Sequence, residues 1–275
     1  MIPAAFEYVR VRDLGEAIEA LARYGEEARV LAGGHSLLPA MKLRLAQPKV
    51  VVDIGRVAEL REIREEDGRL RIGALVTHGE IESSALLSRS CPLLPEVASR
   101  IGDLQVRNRG TIGGSLAHAD PAADWPAAVL ALEAEIVAAG RQGTRTVRAE
   151  EFFVDLFQTA LRPGEILTEV RVPVTERGVA YEKFAQKASG FALCGAAVVV
   201  AEGAARIALT GVAAKAYRAR ATEEALRGGA SPQEAAVRAT EGVEPLGDLH
   251  ASAEYRAHLA RVLVRRALER ALARR

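Results

Sequence analysis

Leu14, Ala17, Ile18, Leu21 and Ala22 recur at the spacing of one helix face, and Asp13 stands where an N-cap belongs. The pattern predicts a short amphipathic helix over 14–24. An apolar run over 28–32 predicts a buried strand that leads directly into Gly33-Gly34-His35-Ser36. A helical patch follows, then a second buried strand over 50–54, and together these predict a small α/β lobe. From Leu60 the texture changes. Residues 69–75 alternate polar and apolar, as a half-exposed strand does. Residues 80–87 and 94–101 read as helices. The stretch 107–115 is polar and glycine-rich and reads as a loop, with the next helix starting at Asp120 or Asp124 and running towards Leu132. Paired strands are expected over 136–139 and 145–148, and another over 166–172, ended by Pro173. Residues 175–178 form the best boundary. Beyond it come strands over 180–185, 194–201 and 206–212, and helices over 219–227, 232–240 and 253–270. The tail is therefore expected to be a helical layer on a small sheet. No internal repeat or low-complexity segment interrupts the pattern.

The chain has 275 residues, of which 49% are hydrophobic, so a sizeable core can be buried. The formal charge is +1, and the charges are interspersed, so no basic face points to nucleic acid. Aromatic residues make up only 4%, which argues against a base-stacking surface. No apolar run approaches the roughly 18 residues of a membrane span. The start of the chain lacks the pattern of a secretory signal. Two cysteines, Cys91 and Cys194, fit buried thiols in a reducing cytoplasm rather than a disulfide framework. Two thiolates are also too few for an iron–sulfur cluster, which takes four. The five histidines show no metal-binding spacing, so no metal site is expected.

Chemistry concentrates in two stretches of like grammar, Ala32-Gly33-Gly34-His35-Ser36 and Thr111-Ile112-Gly113-Gly114-Ser115. Glycine pairs permit positive φ and close backbone approach to a ligand. Successive N–H groups can then converge on one anion, with the hydroxyls of Ser36, Thr111 and Ser115 as further donors. On the residues alone, each stretch is either such a cradle or an ordinary turn. The chain has neither GxGxxG nor GxxxxGK[ST], so neither a Rossmann site nor a P-loop is supported. Gly113-Gly114-Ser115-Leu116-Ala117 misses the GxSxG nucleophile elbow by one residue and follows a polar stretch, which disfavours a serine hydrolase.

The segments LAGGHSLLPAMKLR (31–44) and IGDLQVRNRGTIGGSLAHADPAADWPAAVLAL (101–132) resemble the two FAD loops of the medium subunits of carbon-monoxide-dehydrogenase-like molybdenum hydroxylases. The same module occurs as the flavin domain of xanthine dehydrogenases. GEILTEVRVP (164–173) and YEKFAQKAS (181–189) extend the resemblance over nearly the whole chain, most weakly over the last helices. It implies an α+β protein with the two-lobed FAD-binding fold of the PCMH or vanillyl-alcohol-oxidase type. The FAD-binding domain would cover 1–176, with lobes of about 1–55 and 56–176. A C-terminal domain of a small antiparallel sheet with helices would cover 177–275.

The resemblance assigns Ala32, Gly33, Gly34, His35 and Ser36 to the wrapping of the cofactor's diphosphate, and Thr111, Ile112, Gly113, Gly114 and Ser115 to the other half of that cradle. Asp124 matches an acidic cofactor ligand, although on the residues alone it is equally a helix cap. Leu167 matches a position beside the flavin ring, and Lys187 one where basic residues approach it. Tyr181 and His118 are second candidates for flavin contact, with plain burial the alternative. The implied role is an oxidoreductase subunit with FAD as cofactor and no catalytic acid, base or nucleophile of its own. Its implied partners are a small subunit with two [2Fe–2S] clusters, a large molybdopterin subunit and an acceptor such as NAD or a quinone. A stand-alone FAD-dependent oxidoreductase of the same fold is the alternative, and an assembly module with degenerate loops is disfavoured by the intact glycines.

Overall fold

The computed structural model describes residues 1–201 and 203–275. The first lobe runs β1 (Glu7–Arg10), α1 (Leu14–Tyr24), β2 (Ala28–Leu31), α2 (Leu37–Lys42) and β3 (Val50–Asp53). Its three strands are parallel in the order β1-β3-β2. The Asp13 side chain accepts the Glu16 N–H at 2.8 Å, so the predicted cap is in place. Helix α1 buries Ala17, Ala20 and Leu21 against Val50 and Val52 of the central strand, because its apolar stripe has the helical period.

The second lobe contains β4 (Ile63–Glu66), β5 (Arg69–Gly73) and six short helices: α3 (His78–Ser83), α4 (Ala85–Ser90), α5 (Leu93–Ser99), α6 (Leu104–Arg109), α7 (Ile112–His118) and α8 (Trp125–Ala131). It continues with β6 (Glu135–Gly140), β7 (Gly143–Arg148), α9 (Ala149–Phe152), the hairpin β8 (Phe153–Asp155) and β9 (Gln158–Thr159), and β10 (Ile166–Pro173). An antiparallel sheet in the order β4-β5-β10-β6-β7 forms its backbone. Two sequence expectations are corrected here. The polar stretch 107–115 is not a loop: α6 fills its first part, and the second Gly-Gly pair sits inside the first turn of α7. The single helix expected over 80–87 is split at Ser84, whose side chain caps α4.

The last part of the chain runs β11 (Val179–Ala185), β12 (Ala192–Ala201), β13 (Ala204–Thr210), β14 (Tyr217–Arg218), α10 (Arg220–Arg227), α11 (Pro232–Ala236) and α12 (Ala253–Ala273). Its sheet is antiparallel in that strand order. Side chains alternate across a strand. Cys194, Ala196 and Val198 of β12 pack with Leu263, Val264 and Ala267 of α12. Ala197 and Val199 point the other way, into the core of the second lobe with Trp125 and Leu130. Burial on both faces explains why this strand reads as an unbroken apolar run rather than an alternating one. Arg274 adds a surface tie from α12, donating to Glu96 of α5 at 2.6 Å.

Candidate functional site

The two glycine stretches meet at a cleft of about 550 Å³. The first stretch leaves the C-terminal end of β2, where open parallel sheets place ligands. Its backbone is shaped by two glycines with different duties. Gly34 has φ +81°, a left-handed conformation that L side chains rarely adopt. Gly33 rests on the backbone just before the second stretch, and a Cβ there would fall 2.1 Å from the Arg109 carbonyl oxygen. The N–H groups of Gly33, Gly34, His35 and Ser36 find no acceptor among the described residues, and all four residues line the cleft. Four consecutive unpaired donors on a bend form a nest for an anion.

The second stretch uses its donors internally. Ile112 N–H donates to the Val76 carbonyl and Gly113 N–H to the Ala74 carbonyl, both at 3.0 Å. Gly114 N–H donates to Thr111 Oγ1 at 3.1 Å, and Ser115 N–H to the Thr111 carbonyl at 3.0 Å. These bonds anchor the start of α7 to the segment that follows β5. Gly113 allows the approach, since a Cβ there would lie 2.5 Å from that of Ala74. What the stretch turns towards the cleft is Gly113, Gly114 and the hydroxyl-bearing residues Thr111 and Ser115. Ile112 is buried in the second lobe's core and does not line the cleft.

The remaining expected residues divide. Leu167 lines the cleft from β10, next to the register shift that pairs Leu167 with Ala138 and Glu169 with Val137. Asp124 also lines it, but its side chain does not cap α8, which corrects the cap alternative. Its Oδ1 accepts the Tyr181 hydroxyl at 2.5 Å and its Oδ2 the Lys183 ammonium at 2.8 Å. Burial pushes the Asp124 carboxyl above its ordinary range, while Lys183 and Tyr181 pull it back. Lys183 also donates to the Arg100 carbonyl at 2.8 Å, so this buried group fastens β11 to the second lobe. Tyr181 is buried there and does not line the cleft, while His118 does line it, with its ring 5.2 Å from that of Phe157. Lys187 lies on an exposed turn and is not among the lining residues. Cys91 and Cys194 are free and buried, and burial pushes both thiols up to about 12.

Lys183, Phe191 and His78 are among the residues at or behind the cleft that escaped the sequence reading. Lys183 shares the inward face of β11 with Tyr181, two positions away, a period-2 signal that was present. Phe191 lines the cleft from the C-terminal part and is half exposed, with no pattern to mark it. His78 lines it as a buried residue at the first position of α3, whose capping box of Thr77 and Glu80 was legible as a helix start. A separate groove of about 700 Å³, lined by Arg69, Glu133 and Arg206, holds none of the expected site residues. Among the described residues there is no cluster of side chains able to hold a metal ion, and no helix is long and apolar enough to cross a membrane.

The donor set suits a dinucleotide. Unpaired amides offer themselves to a diphosphate, hydroxyls flank them, and Ile54, Ile101, Val106 and Leu167 supply apolar wall for a ring system. Comparison with known proteins points the same way. The profile of the FAD binding domain in molybdopterin dehydrogenase matches residues 4–175, and that of the CO dehydrogenase flavoprotein C-terminal domain matches 179–271. The chain is 44% identical to the carbon monoxide dehydrogenase medium chain of Hydrogenophaga pseudoflava, covering 100% of this chain and 99% of the relative. It is 38% identical to the 6-hydroxypseudooxynicotine dehydrogenase complex subunit alpha of Paenarthrobacter nicotinovorans, over 99% and 96%. A solved carbon monoxide dehydrogenase chain from H. pseudoflava superposes with a TM-score of 0.95 at 46% identity, covering 99% of both chains.

Proposed function

The chain belongs to the FAD-binding medium subunits of the molybdenum hydroxylases, and from that premise we propose that it is their electron-transfer component. It takes electrons from [2Fe–2S] clusters on a small partner subunit and delivers them to an external acceptor such as NAD or a quinone. Substrate oxidation then falls to a large molybdopterin subunit. The fold is the two-lobed FAD-binding fold with a C-terminal domain. We divide it into a FAD-binding domain over 1–176 and a C-terminal domain over 177–275. The two buried free thiols suit a reducing cytoplasm.

The observation that carries the reading is the run of four unpaired amides at Gly33–Ser36, facing a cleft built by both lobes and the C-terminal part. When bound, FAD supplies the change between one-electron and two-electron transfer. The protein's own groups bind and orient. The first-loop amides would hold the diphosphate, and the Thr111 and Ser115 hydroxyls could donate from across the cleft. Leu167 and Phe191 line the cleft and would offer apolar surface to the ring. Asp124, held by Lys183 and Tyr181, presents a fixed acceptor at the cleft wall. No nucleophile is needed for this role.

The test is to purify the chain with its native partners and under anaerobic conditions. The reading expects co-purification of an iron–sulfur chain and a molybdopterin chain, and loss of flavin absorbance when the reduced iron–sulfur subunit is added to the isolated medium subunit. Colourless protein that cannot be loaded with FAD would overturn it. Bleaching of the isolated chain by a small organic substrate, without any partner, would favour the stand-alone oxidoreductase.

A further inference from the structure

His78 carries a donor that the protein itself does not use. The residue is 5% exposed. Its Nδ1 accepts the indole N–H of Trp125 at 3.0 Å. An indole nitrogen can only donate, so Nδ1 keeps its lone pair and the ring proton sits on Nε2. Burial, reinforced by the charges of His35 and Arg107, pushes the imidazole down to about 4, so it is neutral at pH 7. A neutral ring of this tautomer is an obligate donor at Nε2. That nitrogen has no acceptor among the described residues, and it is not among the buried side-chain atoms sealed off without a partner.

The ring edge opposite Trp125 lies where the first glycine stretch meets Gly110, just before the second. A Cβ on Gly110 would fall 2.7 Å from His78 Nε2, and a Cβ on Gly33 would fall 3.0 Å from the Gly110 Cα. The imidazole therefore reaches the cleft beside the four unpaired amides, through a gap that Gly110 keeps open. We infer that the His78 Nε2–H donates to an oxygen of the bound dinucleotide, in the diphosphate or the sugar next to it, an inference that rests on the flavin reading above. Trp125 is then a positioning residue that sets the tautomer from behind. Gly110 is bare because any side chain would cover the donor.

The inference is tested on the full chain labelled with 15N-histidine, with and without FAD. The His78 Nε2–H resonance is expected to shift and to exchange more slowly with solvent on loading. ADP alone should reproduce the shift if the acceptor lies in the diphosphate, and riboflavin alone if it lies in the adjoining ribityl chain. In FAD titrations, His78→Phe is expected to raise Kd by about 10-fold to 100-fold, as loss of a hydrogen bond to a charged acceptor does. His78→Gln keeps both an acceptor for Trp125 and a donor, and should stay within about threefold of wild type, well under that single-bond loss. The wild-type resonance decides the matter even if His78→Phe fails to fold. If wild type binds FAD while the resonance is unmoved by FAD, ADP and riboflavin, the inference is wrong and the flavin reading survives. If wild type binds no FAD, the flavin reading itself has failed.

Discussion

Ala32-Gly33-Gly34-His35-Ser36 and Thr111-Ile112-Gly113-Gly114-Ser115 look like two copies of one device, yet they work in opposite ways. The first leaves four successive amides unpaired at the cleft. The second commits its amides to Ala74, Val76 and its own Thr111. Glycine serves both conformation and close packing in the first, where Gly34 has φ +81° and Gly33 lies on Arg109, but only close packing at Gly113 of the second, which lies on Ala74. The difference teaches that a Gly-Gly pair signals either a ligand or a neighbouring backbone, and that the destination of the N–H groups tells which. One stretch turns free amides to the cleft; the other turns hydroxyl-bearing Thr111 and Ser115 to it.

The largest expected effect comes from exchanging the two damage patterns. Gly113→Val forces a side chain against backbone that cannot yield, and should lower the unfolding free energy of FAD-free protein by about 3 kcal/mol or more in urea titrations. Gly34→Val should cost the FAD-free fold only about 1–2 kcal/mol, the usual penalty for a left-handed residue. The same change should weaken FAD binding at least about 100-fold, since it distorts the bend bearing several charge-assisted bonds. If Gly34→Val is the one that unfolds the protein, or Gly113→Val spares stability and only loosens FAD, the contrast is broken.

The next effect follows from pH. The anchoring segment that ties down the second stretch ends in His78, which is buried neutral with its pKa depressed from 6.5 to about 4. A depressed base binds more protons when unfolded, so its contribution to stability is complete above pH 6.5 and declines as pH falls towards 4. The loss should be about 2 kcal/mol by pH 5 and about 3 kcal/mol below pH 4. Thermal unfolding of FAD-free protein across this range should show it, and His78→Gln should flatten that part of the curve. An unchanged slope in His78→Gln would contradict the assignment.

The smallest effects sharpen the comparison. Ser115→Ala should raise the Kd for FAD by about threefold to tenfold, the value of one hydroxyl donor, with unfolding unchanged within about 0.5 kcal/mol. Equal loss of stability and of affinity would mean that Ser115 holds the fold rather than the ligand.

The sequence made some of this legible and hid the rest for physical reasons. The first lobe was readable because its strand and helix periods are clean, and the bend at Gly33-Gly34 follows a strand directly. Helix α7 was not, because Gly113 and Gly114 are helix breakers by propensity, and only the tertiary bonds to Ala74 and Val76 override that preference. Asp124 was ambiguous between cap and ligand because its partners, Tyr181 and Lys183, lie more than fifty positions away. Lys183 is a buried lysine and Lys187 an exposed one, a difference the sequence hides because chain distance does not reveal which residues of a strand end point inward. The doubly buried β12 was visible as an apolar run, but the run could not say what covered each face.

Residue-resolved amide hydrogen exchange, compared between FAD-free and FAD-loaded protein, addresses the central claim most directly. The amides of Gly33, Gly34, His35 and Ser36 should exchange fast without FAD and become strongly protected with it. Those of Ile112, Gly113 and Gly114 should be protected already and change little. Protection by FAD confined to Gly113 and Gly114, with the first bend still exchanging freely, would contradict the account.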